Sequence, residues 1–388
     1  MRRLLLSIAK ALGLVVLVLL VGELVVTVWN RGALPGPNFY QEDAELGLRL
    51  IPGSSMRMAY LGVEPASEVR INSEGYRGGE FPSPADSDIV VIGDSLSFGL
   101  GVSDDEVFAV KLEGLMDDGS HVINYGVPSY GMHEQTLVLK EVLTKRSPRH
   151  VIYAISVGRF MGVEPSPLGG EIVAENGWLI PFENEIVEVP FRLPGPVLRW
   201  SQLVSIFRQH FRGLDREAMA RKVITMRIKA LMSNVERARQ ERQKMKEAGW
   251  LVLQAPDGSP RSWSKLTPQL RALKKALGGR AIPVSILILP QDVQLSAAVW
   301  AKYGLAPQDT APLQILVEDL VATGEALGFS MIDPTSALQM ISPGATLPRD
   351  WHFSVAGHRV IAEVLQEHLQ RGALVSPAPS AGRETLHP

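Results

Sequence analysis

The residues of this chain that can do chemistry stand at two places far apart in sequence. Ser95 follows an apolar run, Asp88-Ile89-Val90-Val91-Ile92, inside the turn Gly93-Asp94-Ser95-Leu96-Ser97-Phe98-Gly99. Near the other end lies Asp350-Trp351-His352-Phe353-Ser354. A serine hydroxyl is a weak nucleophile at neutral pH and needs a base within hydrogen-bond reach. His352 is the candidate base. Asp350, two residues earlier, is the candidate to orient the imidazole and stabilise its cation. Together they are the component list for acyl transfer through a serine nucleophile. Asp333, after a later apolar run, is the alternative acid; its plainer role is to cap the turn that contains Pro334. Asp94 reads as a turn residue bonding local backbone.

These residues need elements that bring them together. A serine placed where a short apolar strand stops sits at the carboxyl edge of a sheet, where open α/β folds keep their sites. Expected strands are 88–93, 121–126, 150–156, 283–289 and 329–332. Expected helices are 104–117, 132–145, 265–277, 311–327 and 355–370. Short apolar strands alternating with helices imply a five-stranded parallel sheet covered on both faces, with 88–93 near its centre. Ser103 and Glu106 form a capping box, and Ser354 is the N-cap of the last helix. Histidines 133 and 358 read as structural placements on helices.

The stretch 160–260 breaks the alternation. It starts with Pro and Gly clusters, then runs helix-like from Asp215 to Ala248. Met219, Val223, Ile224, Ile228, Leu231, Met232 and Val235 follow helical spacing. An amphipathic helix laid across the domain is the plain expectation; a lid or docking helix is the sharper one.

Composition narrows the classes. A net charge of −2 argues against a nucleic-acid partner, which needs a basic face. There are no cysteines, so disulfides, thiolate metal sites and a Cys nucleophile are excluded. The scattered histidines lack metal-ligand spacing, so no metal and no cofactor is expected. Arg2, Arg3 and Lys10 precede an apolar stretch from Ala11 to Trp29, interrupted by Glu23. At about 28 Å of helix this matches a bilayer core, and the preceding positive charge predicts a cytoplasmic N-terminus. A cleaved leader is the rival reading. Glu23 lies near the outer end, where it can reach the interface or be protonated.

Gly93-Asp94-Ser95, Asn124-Tyr125-Gly126 and the pair Asp350 and His352 together resemble the blocks of the SGNH (GDSL-type) hydrolase family. Ile71-Asn72-Ser73-Glu74-Gly75-Tyr76-Arg77-Gly78 resembles the run-up in its membrane-anchored bacterial members. The resemblance implies Ser95 as nucleophile, His352 as base, Asp350 as its partner, and the Gly126 amide as an oxyanion donor. The family's third block supplies an asparagine after a central strand; this chain has Gly158-Arg159 there. Gly158 offers only its N–H, and Arg159 is the substitute candidate for holding an oxyanion or an anionic substrate group. The implied fold is a three-layer α/β/α, flavodoxin-like domain after one N-terminal transmembrane helix. The implied organisation is an anchor at 1–30, a linker at 31–38, a hydrolase domain at 39–372 with a helical insertion at about 160–260, and a disordered tail at 373–388. The implied function is an esterase or O-acyl (acetyl) transferase on a carbohydrate or lipid ester, on the periplasmic side of the inner membrane. The changed third block leaves a second expectation open: a weak or inactive scaffold of the same fold in an envelope polysaccharide system.

Overall fold

The computed structural model describes residues 2–29, 31–34, 38–60, 66–157 and 267–375. It also describes strands 172–175 and 178–181 and positions 201, 203, 229, 232, 233, 236 and 240. Gly158, Arg159, most of the expected insertion and the tail from 376 lie outside the described residues.

Helix α1 (Arg2–Trp29) is followed by a small β-rich module: β1 (Ala33–Leu34), β2 (Tyr40–Asp43), β3 (Gly47–Leu50), β4 (Ser55–Met58) and β5 (Ser67–Arg70). Strands β2 and β3 form an antiparallel hairpin, and β1, β4 and β5 form a second sheet. The expected linker at 31–38 is therefore corrected in part. Ala33 and Leu34 pair in parallel with Arg57 and Met58, which satisfies backbone groups that a free linker would leave to water.

The main domain follows as β6 (Ile89–Ile92), α2 (Ser95–Phe98), α3 (Phe108–Leu115), β7 (Val122–Asn124), α4 (Met132–Lys145) and β8 (His150–Ser156). After a two-stranded pair, β9 (Ile172–Glu175) and β10 (Trp178–Pro181), it continues with α5 (Thr267–Ala276), β11 (Val284–Leu289), α6 (Ala311–Ala326), β12 (Ser330–Ile332), α7 (Thr335–Met340) and α8 (Val355–Val375). The capping box joins Ser103 and Glu106 as expected, but it opens a 3-10 turn at 104–106 ahead of α3.

The five-stranded sheet has the order β12-β11-β8-β6-β7, every pair parallel. Strand β8 is the middle one, and β6 lies beside it, near the centre as expected. The chain leaves β6 for the edge strand β7, then crosses back over β6 to reach β8. Connections from β6 and from β8 thus depart in opposite directions. At such a switch point the loops at the carboxyl ends diverge and open a crevice.

Strands β6 and β11 are buried along their full length, as strands covered on both faces must be. Alternate residues feed two separate cores. Val90, Ile92, Tyr153 and Ile286 pack with Leu139 of α4, Leu270 of α5 and Leu313 of α6. Ile89, Val91, Ala154 and Leu287 pack with Phe108 of α3 and with Ile361 and Leu365 of α8. The N-terminal module joins the first core through Phe39, Leu48, Met58 and Val69.

Arg77, from the run-up motif, ties that module to the serine turn. Its guanidinium donates to Phe98 O at 2.8 Å, to Gly99 O and Val102 O at 2.5 Å, and to Asp104 Oδ1 at 2.9 Å. The Arg77 side chain is 1% exposed, so burial pulls the guanidinium down and Asp104 works against it. Arg77→Met keeps the apolar stem but removes the donor to Phe98 O, Gly99 O and Val102 O and leaves Asp104 to Arg70. It is expected to cost about 1–3 kcal/mol, the scale for leaving buried acceptors unsatisfied. Denaturant unfolding in detergent, compared with the native chain, measures it.

Helix α1 has 28 residues, about 42 Å, long and apolar enough to cross a bilayer. Glu23, near the C-terminal end of α1, has partners within the chain. Its Oε2 accepts a hydrogen bond from Ser201 Oγ at 2.7 Å and another from Leu203 N–H at 3.0 Å.

Candidate active site

Asp94 ends the extended run from β6, and its Oδ1 accepts the Leu96 N–H at 2.9 Å. That cap starts a single helical turn, with Ser95 as its first residue. The Ser95 N–H is therefore one of the orphan amides of a helix start. Gly99 closes the turn with φ 86°, its N–H donating to Ser95 O.

Two glycines let this turn sit where it does. A Cβ on Gly93 would lie 2.1 Å from Ser97 Oγ. A Cβ on Gly126 would lie 2.7 Å from Phe98 N. The turn thus packs directly on the backbone after β7. Asn124 staples the contact: its Nδ2 donates to Ser97 O at 2.8 Å, and its Oδ1 accepts the Gly126 N–H at 2.9 Å.

This alters the expectation for Gly126. Its amide is already engaged by Asn124, because holding Ser97 O with Nδ2 turns Oδ1 onto Gly126. The Gly126 N–H reaches an oxyanion only by giving up that bond. Gly158 and Arg159, the other expected donors, fall outside the described residues.

Asp350 and His352 are carried by a loop that folds back on itself ahead of α8. Thr346 bridges Phe353, Leu347 N–H donates to His352 O at 2.8 Å, and Ser354 N–H donates to Ala345 O at 3.0 Å. The loop brings His352 Nε2 to 2.8 Å from Ser95 Oγ, across 257 residues of sequence. Asp350 Oδ2 meets His352 Nδ1 on the other side of the ring. Asp350 is 1% exposed and His352 3% exposed, so this is a desolvated pair. Burial alone would push the Asp350 carboxyl up. The His352 imidazole, its hydrogen bond, the Trp351 N–H at 2.7 Å and the Tyr60 hydroxyl outweigh burial and hold it below the ordinary carboxylate range. Asp350 is thereby kept as an acceptor for the imidazole N–H.

Aromatic rings fix the imidazole plane. Trp351 stacks on it with centroids 5.5 Å apart, and Tyr60 meets it edge-on at 5.5 Å. The Tyr60 hydroxyl is 3.5 Å from His352 Nδ1. Tyr60 belongs to the N-terminal module, so that module reaches the site directly. Sequence reading passed over Tyr60, Asn124 as a staple, and the pair Asp292 and Lys302 beneath Asp350. Asp292 had one usable signal: in Leu289-Pro290-Gln291-Asp292 it follows an apolar strand at the same sheet edge as Ser95. Tyr60 had none.

The remaining candidates take plain roles. Asp333 Oδ1 accepts the Thr335 N–H at 2.9 Å, so it caps α7. His358 is buried, and its Nδ1 accepts the Phe108 N–H at 3.2 Å. His133 is exposed on the first turn of α4. Among the described residues there is no group of three His, Cys, Asp or Glu able to hold a metal ion.

No family model and no curated protein matches the chain. Solved structures do. The chain is similar in fold to lipolytic hydrolases of the G-D-S-L kind. A member of that lipolytic family from Veillonella parvula matches at 10% identity and a TM-score of 0.36, over 73% of this chain and 98% of that one. A lipase/acylhydrolase from Enterococcus faecalis matches at 13% identity and 0.36, over 76% and 99%. An acetylxylan esterase from Geobacillus stearothermophilus matches at 13% and 0.37, over 74% and 95%. Likeness at these identities concerns the fold alone, and what the chain does rests on the geometry of its own residues.

Proposed function

We propose that this chain is a serine ester hydrolase or O-acyltransferase of the SGNH type, held at a membrane by α1, acting on a carbohydrate or lipid ester. The observation that carries this reading is the line Ser95 Oγ, His352 Nε2, His352 Nδ1, Asp350 Oδ2, set at the switch point of a parallel sheet. In that arrangement Ser95 Oγ attacks the ester carbonyl carbon while its proton passes to His352 Nε2. Asp350 stabilises the imidazolium. The C–O bond of the tetrahedral intermediate breaks, and His352 returns the proton to the departing alkoxide. Water, or a second hydroxyl in the transfer case, then attacks the acyl-serine by the same route and frees Ser95.

The Ser95 N–H is the oxyanion donor that geometry leaves in place. Losing one further donor typically costs about 10²–10³ in rate, which slows the reaction without abolishing it. The engaged Gly126 amide therefore favours, as a second reading, a slow enzyme or a scaffold of the same fold. The hydrogen bonds from Ser201 and Leu203 to Glu23 support α1 as a retained anchor, since they tie it to residues far along the chain. With Arg2, Arg3 and Lys10 on the cytoplasmic side, the domain lies across the membrane from them, at the cell envelope. Intact mass of the purified protein separates an anchor, which keeps residues 2–29, from a cleaved leader.

A fluorophosphonate probe on the full-length protein in detergent tests the chemistry. The expected result is one covalent adduct, mapped to the peptide that contains Ser95. A folded chain that takes no label there would sink the hydrolase reading in favour of the scaffold.

A further inference from the structure

A buried ion pair lies directly beneath the loop that carries Asp350. Lys302 Nζ is 3.3 Å from Asp292 Oδ2, 2.5 Å from Thr346 Oγ1 and 3.3 Å from Asp350 O. An ammonium has three N–H donors, and three acceptors from two stretches of chain take them: Asp292 on one, Thr346 and Asp350 on the loop. The Lys302 side chain is 9% exposed and that of Asp292 is 0% exposed. The Tyr303 hydroxyl also donates to Asp292 Oδ2, while Asp292 Oδ1 has no hydrogen-bond partner among the described residues.

This pair is costly, and its surroundings do not call for it. Taking two charges out of water costs several kcal/mol per ion, and a well-packed apolar pair is often as stable or more so. Val293, Val299, Trp300 and Tyr303 already form an apolar cluster there. Burial pulls the Lys302 ammonium down with Asp292 opposing, and pushes the Asp292 carboxyl up with Lys302 opposing. What the lysine gains is a grip on one loop. Thr346 sits on the first limb, whose partner across the bridge is Phe353, and Asp350 sits at the tip. Fixing those two points fixes where the Asp350 carboxylate meets His352 Nδ1.

We propose, resting on the hydrolase reading above, that Lys302 is a positioning residue for Asp350: it clamps the 346–350 loop from below through the Thr346 hydroxyl and the Asp350 carbonyl, with Asp292 as the counter-ion that keeps it there. The clamp touches neither substrate nor the reacting atoms. It acts by holding the aspartate in the geometry that orients the imidazole.

The test separates positioning from stability. Lys302→Met alone strands Asp292 and lowers the unfolding midpoint. Lys302→Met combined with Asp292→Leu replaces the ion pair by an apolar one and is expected to recover the midpoint of the native chain. In the double variant kcat on p-nitrophenyl acetate is expected to stay about 10–100-fold low with KM within about twofold, the scale of a misplacement near 1 Å. The low-field proton resonance of His352 Nδ1–H, which reports its bond to Asp350, is expected to shift or broaden. A double variant that recovers both midpoint and kcat, with that resonance unmoved, overturns the proposal. Should the double variant unfold, Thr346→Val removes one tether without touching charge, and an unchanged kcat and resonance would then overturn it. If the native chain neither labels nor turns over ester, the hydrolase reading has failed, and the His352 resonance alone decides whether Lys302 positions Asp350.

Discussion

Ser95→Ala is expected to lower ester turnover by on the order of 10⁵–10⁶-fold, the scale for deleting the nucleophile of an intact serine triad. The reason is geometric. Ser95 Oγ stands 2.8 Å from His352 Nε2, and no other hydroxyl bonds that nitrogen among the described residues. Ser97, two residues on, is buried with an Oγ that has no hydrogen-bond partner among the described residues, so it cannot stand in. The variant should fold as the native chain does, because Asp94 still caps α2 and Arg77 still holds its far end. Adding His352→Ala to Ser95→Ala should cost little more, since residues that act as one unit are grossly non-additive. Steady-state kinetics on p-nitrophenyl acetate check both statements. Comparable rates in Ser95→Ala and the native chain would remove Ser95 from the reaction.

Asp350→Asn should lower kcat by roughly 10⁴-fold while leaving the loop in place. The asparagine still accepts the Trp351 N–H through its oxygen. If that oxygen stays on Trp351, its amide nitrogen faces His352 Nδ1 and donates to it, which forces the proton onto Nε2. An Nε2 that carries a proton cannot accept one from Ser95. The loss should therefore fall on kcat, with KM nearly unchanged. A fall of less than about tenfold would show that Asp350 contributes far less than the aspartate of a working triad, and that Tyr60, 3.5 Å from Nδ1, orients the ring instead.

Much of the scaffold was legible in the sequence because its signals are local. After Asp88 the run 89–92 has no polar break, so it announces a strand covered on both faces, and β6 is that strand. Alternation with helices 132–145 and 311–327 implies a parallel sheet, and α4 and α6 fall within one residue of those limits. The strand order was less accessible. Nothing local in 121–126 says that it takes an edge, which leaves β6 near the centre, as expected, with β8 as the middle strand. Ala33-Leu34, within the expected linker, pairs as a strand for the same reason: Arg57 and Met58 lie beside it.

Within the site, residue type and order alone pointed to Ser95, Asp350 and His352. A strand-end serine and an Asp-x-His ahead of a capped helix are patterns a few residues long. Sequence also determined that no thiol chemistry occurs here and that one N-terminal helix can span a bilayer. Tertiary structure alone decided what those residues touch. Gly126 was expected to hold a free amide, and Asn124 occupies it because the serine turn packs within contact of its backbone. Glu23, expected to reach the interface or be protonated, has as partners Ser201 and Leu203, some 180 positions later. Tyr60 reaches His352, and Lys302, paired with Asp292, reaches Asp350, from other parts of the chain. A hydrogen bond needs two groups within about 3 Å, and separation along the sequence carries no information about that distance once the chain has folded.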